Sequence, residues 1–286
     1  MTRPAAGLDL HAIATAHMQC GLALMQAGDA AALSAAIRHF DRALEIRRLL
    51  PSDGAPATFA LAASWLNRAE ALVAMGEVQQ LEQAIDAFSA AIALLEGVPN
   101  ADPRSLRRLA IALQNRALAR GRLRRETWTM APDLFRALDL LQTNGYAEER
   151  QLIAALWVNI GIAQLLEPGD DAWARAAESG VQAMRVIGID EWTDAKLAEI
   201  GLRARYLRCQ SAARLIDLGC GHAPALVATA ADVAHGALTL IDFWQHRGVS
   251  TCGSLAVDLH AFVRRLNIWI QQRAPGAGDV SARKDA

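Results

Sequence analysis

Trp65-Leu66-Asn67-Arg68-Ala69-Glu70-Ala71-Leu72-Val73-Ala74-Met75-Gly76, with Ala84-x-x-x-Phe88-x-x-Ala91 after it, is the stretch whose pattern decides the fold. An amide is followed two positions later by a small residue and five positions later by Leu, in a segment closed by Gly76. Gly ends helices because it takes the left-handed conformation without a Cβ penalty. The 4-then-3 spacing of Ala84, Phe88 and Ala91 places all three on one face of a second helix. The same pair occurs upstream as Gln19, Gly21, Leu24 and Gly28, then Ala36, Phe40 and Ala43.

Working outward, the amide recurs as Gln19, Asn67, Asn115, Asn159 and Gln210, at spacings of 48, 48, 44 and 51 residues. Its small partners are Gly21, Ala69, Ala117, Gly161 and Ala212. The second-helix stripe continues as Met130, Leu134, Ala137, then Ala176, Gly180, Ala183, then Ala230, Ala234, Ala237. Gly219 takes the closing place in the fifth unit, whereas Arg124 and Pro168 stand there in the third and fourth. A near-fixed period marks a solenoid, in which each unit buries its apolar face only by stacking on its neighbours.

The expected fold is all-α: a right-handed α-solenoid of about five helix-turn-helix repeats with a C-terminal capping helix. The units fall near 8–50, 54–97, 102–143, 146–188 and 190–247, with the cap at 252–272. One domain is expected over 1–273 and a disordered tail over 274–286. Composition agrees: 53% of residues are hydrophobic but only 5% aromatic, so Ala and Leu, which favour helices, dominate.

The motif Trp65-x-Asn67-x-Ala69-x-x-Leu72-x-x-x-Gly76 with Ala84-x-x-x-Phe88-x-x-Ala91 resembles the tetratricopeptide repeat. Ala36-x-x-x-Phe40-x-x-Ala43-Leu44 resembles its second helix, and Trp157-x-Asn159-x-Gly161 its first. The resemblance runs from about residue 8 to 247. It departs in period, since that family repeats every 34 residues and this chain every 44 to 51. The resemblance implies a superhelix whose first helices line a concave groove, with Asn67, Asn115 and Asn159 placed to bond an extended peptide.

An amide side chain offers two donors and two acceptor lone pairs, which match a peptide group whatever its side chain. Gln19, Asn67, Asn115, Asn159 and Gln210 therefore stand as a candidate peptide-binding ladder, with Leu22, Leu118 and Ile162 on the same helix face. The other account is that each amide bonds the next helix pair. Arg68 and Arg116 follow two of the amides and suit bidentate pairing with an acidic peptide, or with carboxylates inside the array. The residues one turn before the amides (Thr15, Ala63, Ile111, Ala155) are not basic, so the carboxylate clamp of some family members is not reproduced.

Arg104, Arg107, Arg108, Arg116, Arg120, Arg122, Arg124 and Arg125 crowd 22 residues, with Asp102, Glu126, Asp133 and Glu148 as expected partners. No aromatic lies among them to stack bases, so nucleic acid is not expected. A net charge of −1 gives no general pull to nucleic acid or anionic membrane. No run approaches the length of a membrane span. Four scattered cysteines suit reduced thiols in a cytoplasm.

Leu215-Ile216-Asp217-Leu218-Gly219-Cys220-Gly221 reads like the glycine turn of a methyltransferase, but Ala223 stands where a further Gly is needed. The repeat already accounts for Leu215 and Gly219, so the match is taken as coincidence. Cys220-x-His222 is too short for a metal motif. The expected function is a non-catalytic protein-interaction scaffold: adaptor, regulator or assembly factor. It would be cytoplasmic, without metal or cofactor, and would bind a protein or peptide segment in its groove, with an acidic segment as a candidate. The alternatives are a small-molecule sensor or enzyme using the 215–221 turn, and a homo-oligomer that closes the groove with a second copy.

Overall fold

A computed structural model describes residues 9–51, 54–98, 102–124, 130–143, 149–167, 169, 171–217, 223–249 and 253–273. Among them there are eleven α-helices and no strand. In chain order they are α1 (Leu10–Ala27), α2 (Ala30–Leu49), α3 (Ala55–Met75), α4 (Val78–Glu96), α5 (Pro103–Arg124) and α6 (Ala131–Thr143). Then follow α7 (Arg150–Leu165), α8 (Ala172–Ile187), α9 (Ala195–Asp217), α10 (Ala223–Gln245) and α11 (Gly253–Arg273). They fall into five successive pairs and a last helix, which is a helical-repeat fold. Arg125, Glu126, Trp128, Asn144–Gly145, Glu148, Pro168, the Gly219–Gly221 turn with Cys220 and His222, Cys252 and 274–286 lie outside the described residues.

The contacts gather into two compact bodies, each larger than a single repeat and called from here unit 1 (Met1–Glu148) and unit 2 (Glu149–Ala286). In the first, each helix packs on the next from α1 to α6, and the first helices of successive pairs also meet, α1 with α3 and α3 with α5. In the second, α7 to α11 stack in order, with α7 against α9 and α9 against α11.

Local chemistry sets the helix ends. Asp9 and Asp29 cap α1 and α2 by accepting from the Ala12 and Ala32 N–H groups at 3.1 and 2.8 Å. Gly28 and Gly76 close α1 and α3 at φ 76° and 79°, the left-handed conformation expected of both.

The stripes are the core. Ala36, Phe40 and Ala43 are fully buried on α2, as are Phe88 and Ala91 with Ala84 on α4. Met130, Leu134 and Ala137, and later Ala230, Ala234 and Ala237, are likewise buried. The small residues two places after each amide are packing positions. A Cβ on Gly21 would stand 2.5 Å from the Phe40 ring, and one on Gly161 would collide with Leu207 Cδ2. Small residues here let the paired helices close up.

One element is not in the repeat pattern. Between α8 and α9, Asp190–Trp192 forms a 3-10 turn carrying the buried Glu191. The Arg205 guanidinium on α9 donates to both Glu191 carboxylate oxygens at 2.6 Å. The Trp244 indole N–H on α10 bonds the Glu191 carbonyl at 3.0 Å. Arg150, at the start of α7, bonds the Val186 and Ile187 carbonyls at the end of α8 and pairs with Asp190.

Candidate functional site

Two residues in sequence are about 200° apart on a helix and one residue about 100°, so the amide, its small partner and the following Arg point different ways. In unit 1 the small partners Gly21, Ala69 and Ala117 are buried, while Gln19 is exposed and Asn67 and Asn115 are half-buried. Three places after the amide, on its own face, stand Leu22 (43% exposed), Glu70 and the half-buried Leu118.

Asn115 Nδ2 donates to Glu70 Oε1 at 3.4 Å, across the seam from α5 to α3. This amide therefore bonds the neighbouring pair. Among the described residues Gln19, Asn67, Asn159 and Gln210 take no such partner, so the ladder does not act uniformly as a strut.

Burial pushes the Glu70 carboxyl above its ordinary value, with Arg108 opposing. A carboxyl raised in the folded state adds stability below its ordinary range, and that stability is lost as pH climbs through the raised value. Glu70→Gln keeps an acceptor for Asn115 and sheds the charge. It is expected to give a small gain in thermal stability at pH 7 and none near pH 4, checked by melts at both. A loss at pH 7 would show that attraction to Arg108 outweighs burial.

Arg68 and Arg116 do not join the amides. Arg68 Nε pairs with Asp41 of α2 at 2.6 Å. Arg116 holds both Asp133 oxygens, at 2.7 and 2.8 Å, and donates to Ser89 of α4 at 3.1 Å. Both lie against the second helices, because one step along the helix from the amide turns them to that side. They pair with carboxylates of their own unit.

The arginine cluster is largely accounted for in the same way. Arg120 also bonds Asp133, at 3.0 Å, Arg122 donates to the Val73 carbonyl at 3.0 Å, and Arg108 lies 4.6 Å over the Phe59 ring. Asp102 caps α5 through the Ser105 N–H at 2.8 Å. A shallow cleft of about 450 Å³ between α2 and α4 has Trp65 as its floor, with the Arg48 guanidinium 4.9 Å over the ring.

Unit 2 holds the larger cleft, about 710 Å³, built by α7, α8, α9 and α11. Ile162 and Leu166 come from α7 and its end, Trp173 from α8, Tyr206 and Gln210 from α9, and Phe262 from α11. Ile162 is the residue three places after Asn159, and Gln210 is the amide of the next pair. The seam that Asn115 closes onto Glu70 in unit 1 is here open.

Arg214 and Arg265 edge this cleft with Asp258. Elsewhere in the unit Arg150, Arg175, Arg203 and Arg205 hold carboxylates, whereas Arg247 lies over the Phe243 ring. Among the described residues Arg214 and Arg265 hold none; Arg214 lies 5.3 Å over the Trp173 ring. Among the described residues, the cleft thus combines an aromatic and aliphatic wall, an amide without a bond and two guanidinium groups without a carboxylate. Such a lining, mostly apolar with a few converging polar groups, is that of a ligand site.

Of the sequence-derived residues, Gln210 and Ile162 reach this cleft; Asn67, Asn115 and Gln19 belong to unit 1. Trp173, Tyr206, Arg214, Phe262 and Arg265 were not anticipated. The available signal was the face of α11 formed by Asp258, Phe262 and Arg265, spaced four and three residues apart.

Leu215, Ile216 and Asp217 form the last turn of α9, where a methyltransferase turn would need a strand. Among the described residues no three His, Cys, Asp or Glu side chains gather as a metal site. None of the described helices is long and apolar enough to cross a membrane.

A scan of the sequence against protein-family models returns no match, and a search of curated proteins returns none either. Among solved structures, the chain is similar to a de novo designed helical repeat protein at 13% identity and a TM-score of 0.20. That match covers 92% of this chain and 97% of the other.

Proposed function

We propose that the protein is a non-catalytic interaction scaffold of the tetratricopeptide-like kind, working in the cytoplasm, and that it binds a peptide segment of a partner protein on the amide-bearing side of unit 2. The observation that carries this reading is the open seam: Gln210 and Ile162 share a cleft lined by Trp173, Tyr206 and Phe262. A bound segment would bond the Gln210 amide through its backbone and place an apolar side chain against the aromatic wall. With Arg214 and Arg265 against the single Asp258, an acidic segment is favoured over a basic one.

Binding of this kind draws most of its affinity from a few aromatic and Arg anchors. Gln210→Ala removes one neutral hydrogen bond, about 0.5–1.5 kcal/mol, so a partner should be held up to about tenfold more weakly. Arg265→Glu reverses a charge and should abolish capture of an acidic segment.

The test is affinity capture from host lysate, with captured proteins identified by mass spectrometry, comparing wild type with both variants after circular dichroism shows them folded. A partner held by wild type, weakened by Gln210→Ala and lost by Arg265→Glu supports the reading. A partner held equally by all three places the binding surface elsewhere.

A further inference from the structure

We propose that His17 and His39 form a two-imidazole site for a divalent metal ion of the nickel and copper class, in the first helical pair and apart from the unit 2 cleft. His17 lies on α1 and His39 on α2, and their Nδ1 atoms stand 2.9 Å apart with ring centroids 5.1 Å from each other. Both side chains are half-buried. Among the described residues neither ring has another hydrogen-bond partner.

The geometry points to a particular coordination. Two imidazole nitrogens bound at about 2.0–2.1 Å with a right angle at the metal stand about 2.9 Å apart, and at a tetrahedral angle about 3.3 Å apart. The observed span, which is also that of an N–H···N hydrogen bond, matches neighbouring positions in square-planar or octahedral coordination, which copper and nickel prefer over zinc. Magnesium and calcium seek oxygen ligands and are disfavoured. With two protein ligands, water completes the sphere, which leaves open positions for a further donor.

The pair is also preorganised. Met18 and Phe40, next in sequence to His17 and His39, pack together with Ala36 and Ala43 in the core, so α1 and α2 are held together before any ion arrives. The metal-free pair shares one proton, Nδ1–H to Nδ1. Binding the ion requires the Nε2–H tautomer of both rings, so the shared Nδ1 proton moves through solvent to Nε2 of the same ring and both Nδ1 lone pairs are freed for the metal.

The experiment is a calorimetric titration of the tag-free full chain with nickel chloride, alongside His17→Gln, His39→Gln and Cys20→Ser. Cys20 is exposed one turn from His17, so its replacement separates thiol from imidazole binding. Circular dichroism checks each fold. One ion per chain is expected for wild type and Cys20→Ser alike. Each His variant should bind at least about tenfold more weakly, since even the loss of a residue supporting a ligand costs 10–100-fold.

Copper-loaded protein should show two nitrogen couplings by electron paramagnetic resonance, and one in either His variant. Equal affinity in the His variants would overturn the site, as would loss of binding in Cys20→Ser. Absence of saturable binding in wild type would reduce the pair to a shared-proton hydrogen bond.

Discussion

Glu191→Ala is expected to destabilise unit 2 by about 3–5 kcal/mol, the usual cost of removing one partner from a buried ion pair. Glu191 and Arg205 have side chains only 4% and 12% exposed, joined by two bonds of 2.6 Å. Without the carboxylate, the guanidinium stays in a site shaped for its partner and loses both hydrogen bonds. A third element is involved, because the Glu191 carbonyl is held by Trp244. The 3-10 turn joins α8 to α9, so loosening it weakens both.

Urea unfolding of Glu191→Ala, Arg205→Ala and the double variant measures the coupling. The double variant should lose clearly less than the sum of the singles, because each single variant already strands the other group. A loss below about 1 kcal/mol for Glu191→Ala would show that the pair behaves as a surface ion pair.

This pair also marks what the sequence could not tell. A lone Glu in a connection reads as solvated, and nothing in the repeat period signals that Arg205, fourteen residues on, turns back to it. The period does say which positions must pack, since a helix face is fixed by spacing alone. That is why Ala36, Phe40 and Ala43 and their counterparts were legible, together with the ends at Gly28 and Gly76.

Which exposed face stays open is a different matter. It depends on side-chain chemistry at the seam: Glu70 accepts a bond from Asn115, whereas Ile162, at the matching place before Gln210, offers no acceptor and lines the cleft instead. The cleft's aromatic wall comes from Trp173, Tyr206 and Phe262, on three helices with no common spacing. Arg68 and Arg116 show the limit again. Their rotation relative to the amides follows from helix geometry, but their carboxylate partners, Asp41 and Asp133, are set by how the second helices sit.

Phe40→Ala is expected to cost unit 1 about 3–5 kcal/mol, as emptying a fully buried aromatic site does, and to reverse the effect of a change at Gly21. Phe40 has no exposed surface, and a Cβ at residue 21 would lie 2.5 Å from its ring. In the wild type, Gly21→Ala gains about 1 kcal/mol of helix propensity and loses about 1–3 kcal/mol to overpacking. The ring is rigid and enclosed, so overpacking wins and the variant is destabilised.

In the Phe40→Ala background the clash is gone, the new methyl takes up part of the cavity, and the propensity gain remains. Gly21→Ala should then stabilise, by about 1 kcal/mol. Urea unfolding of the four proteins gives the cycle directly. A sign change shows that the small residue two places after the amide exists to seat the aromatic of the second helix, which couples the two halves of the repeating pattern through one contact. If Gly21→Ala stabilises both backgrounds, α1 and α2 can separate to admit the methyl, and the small residue is not a packing requirement.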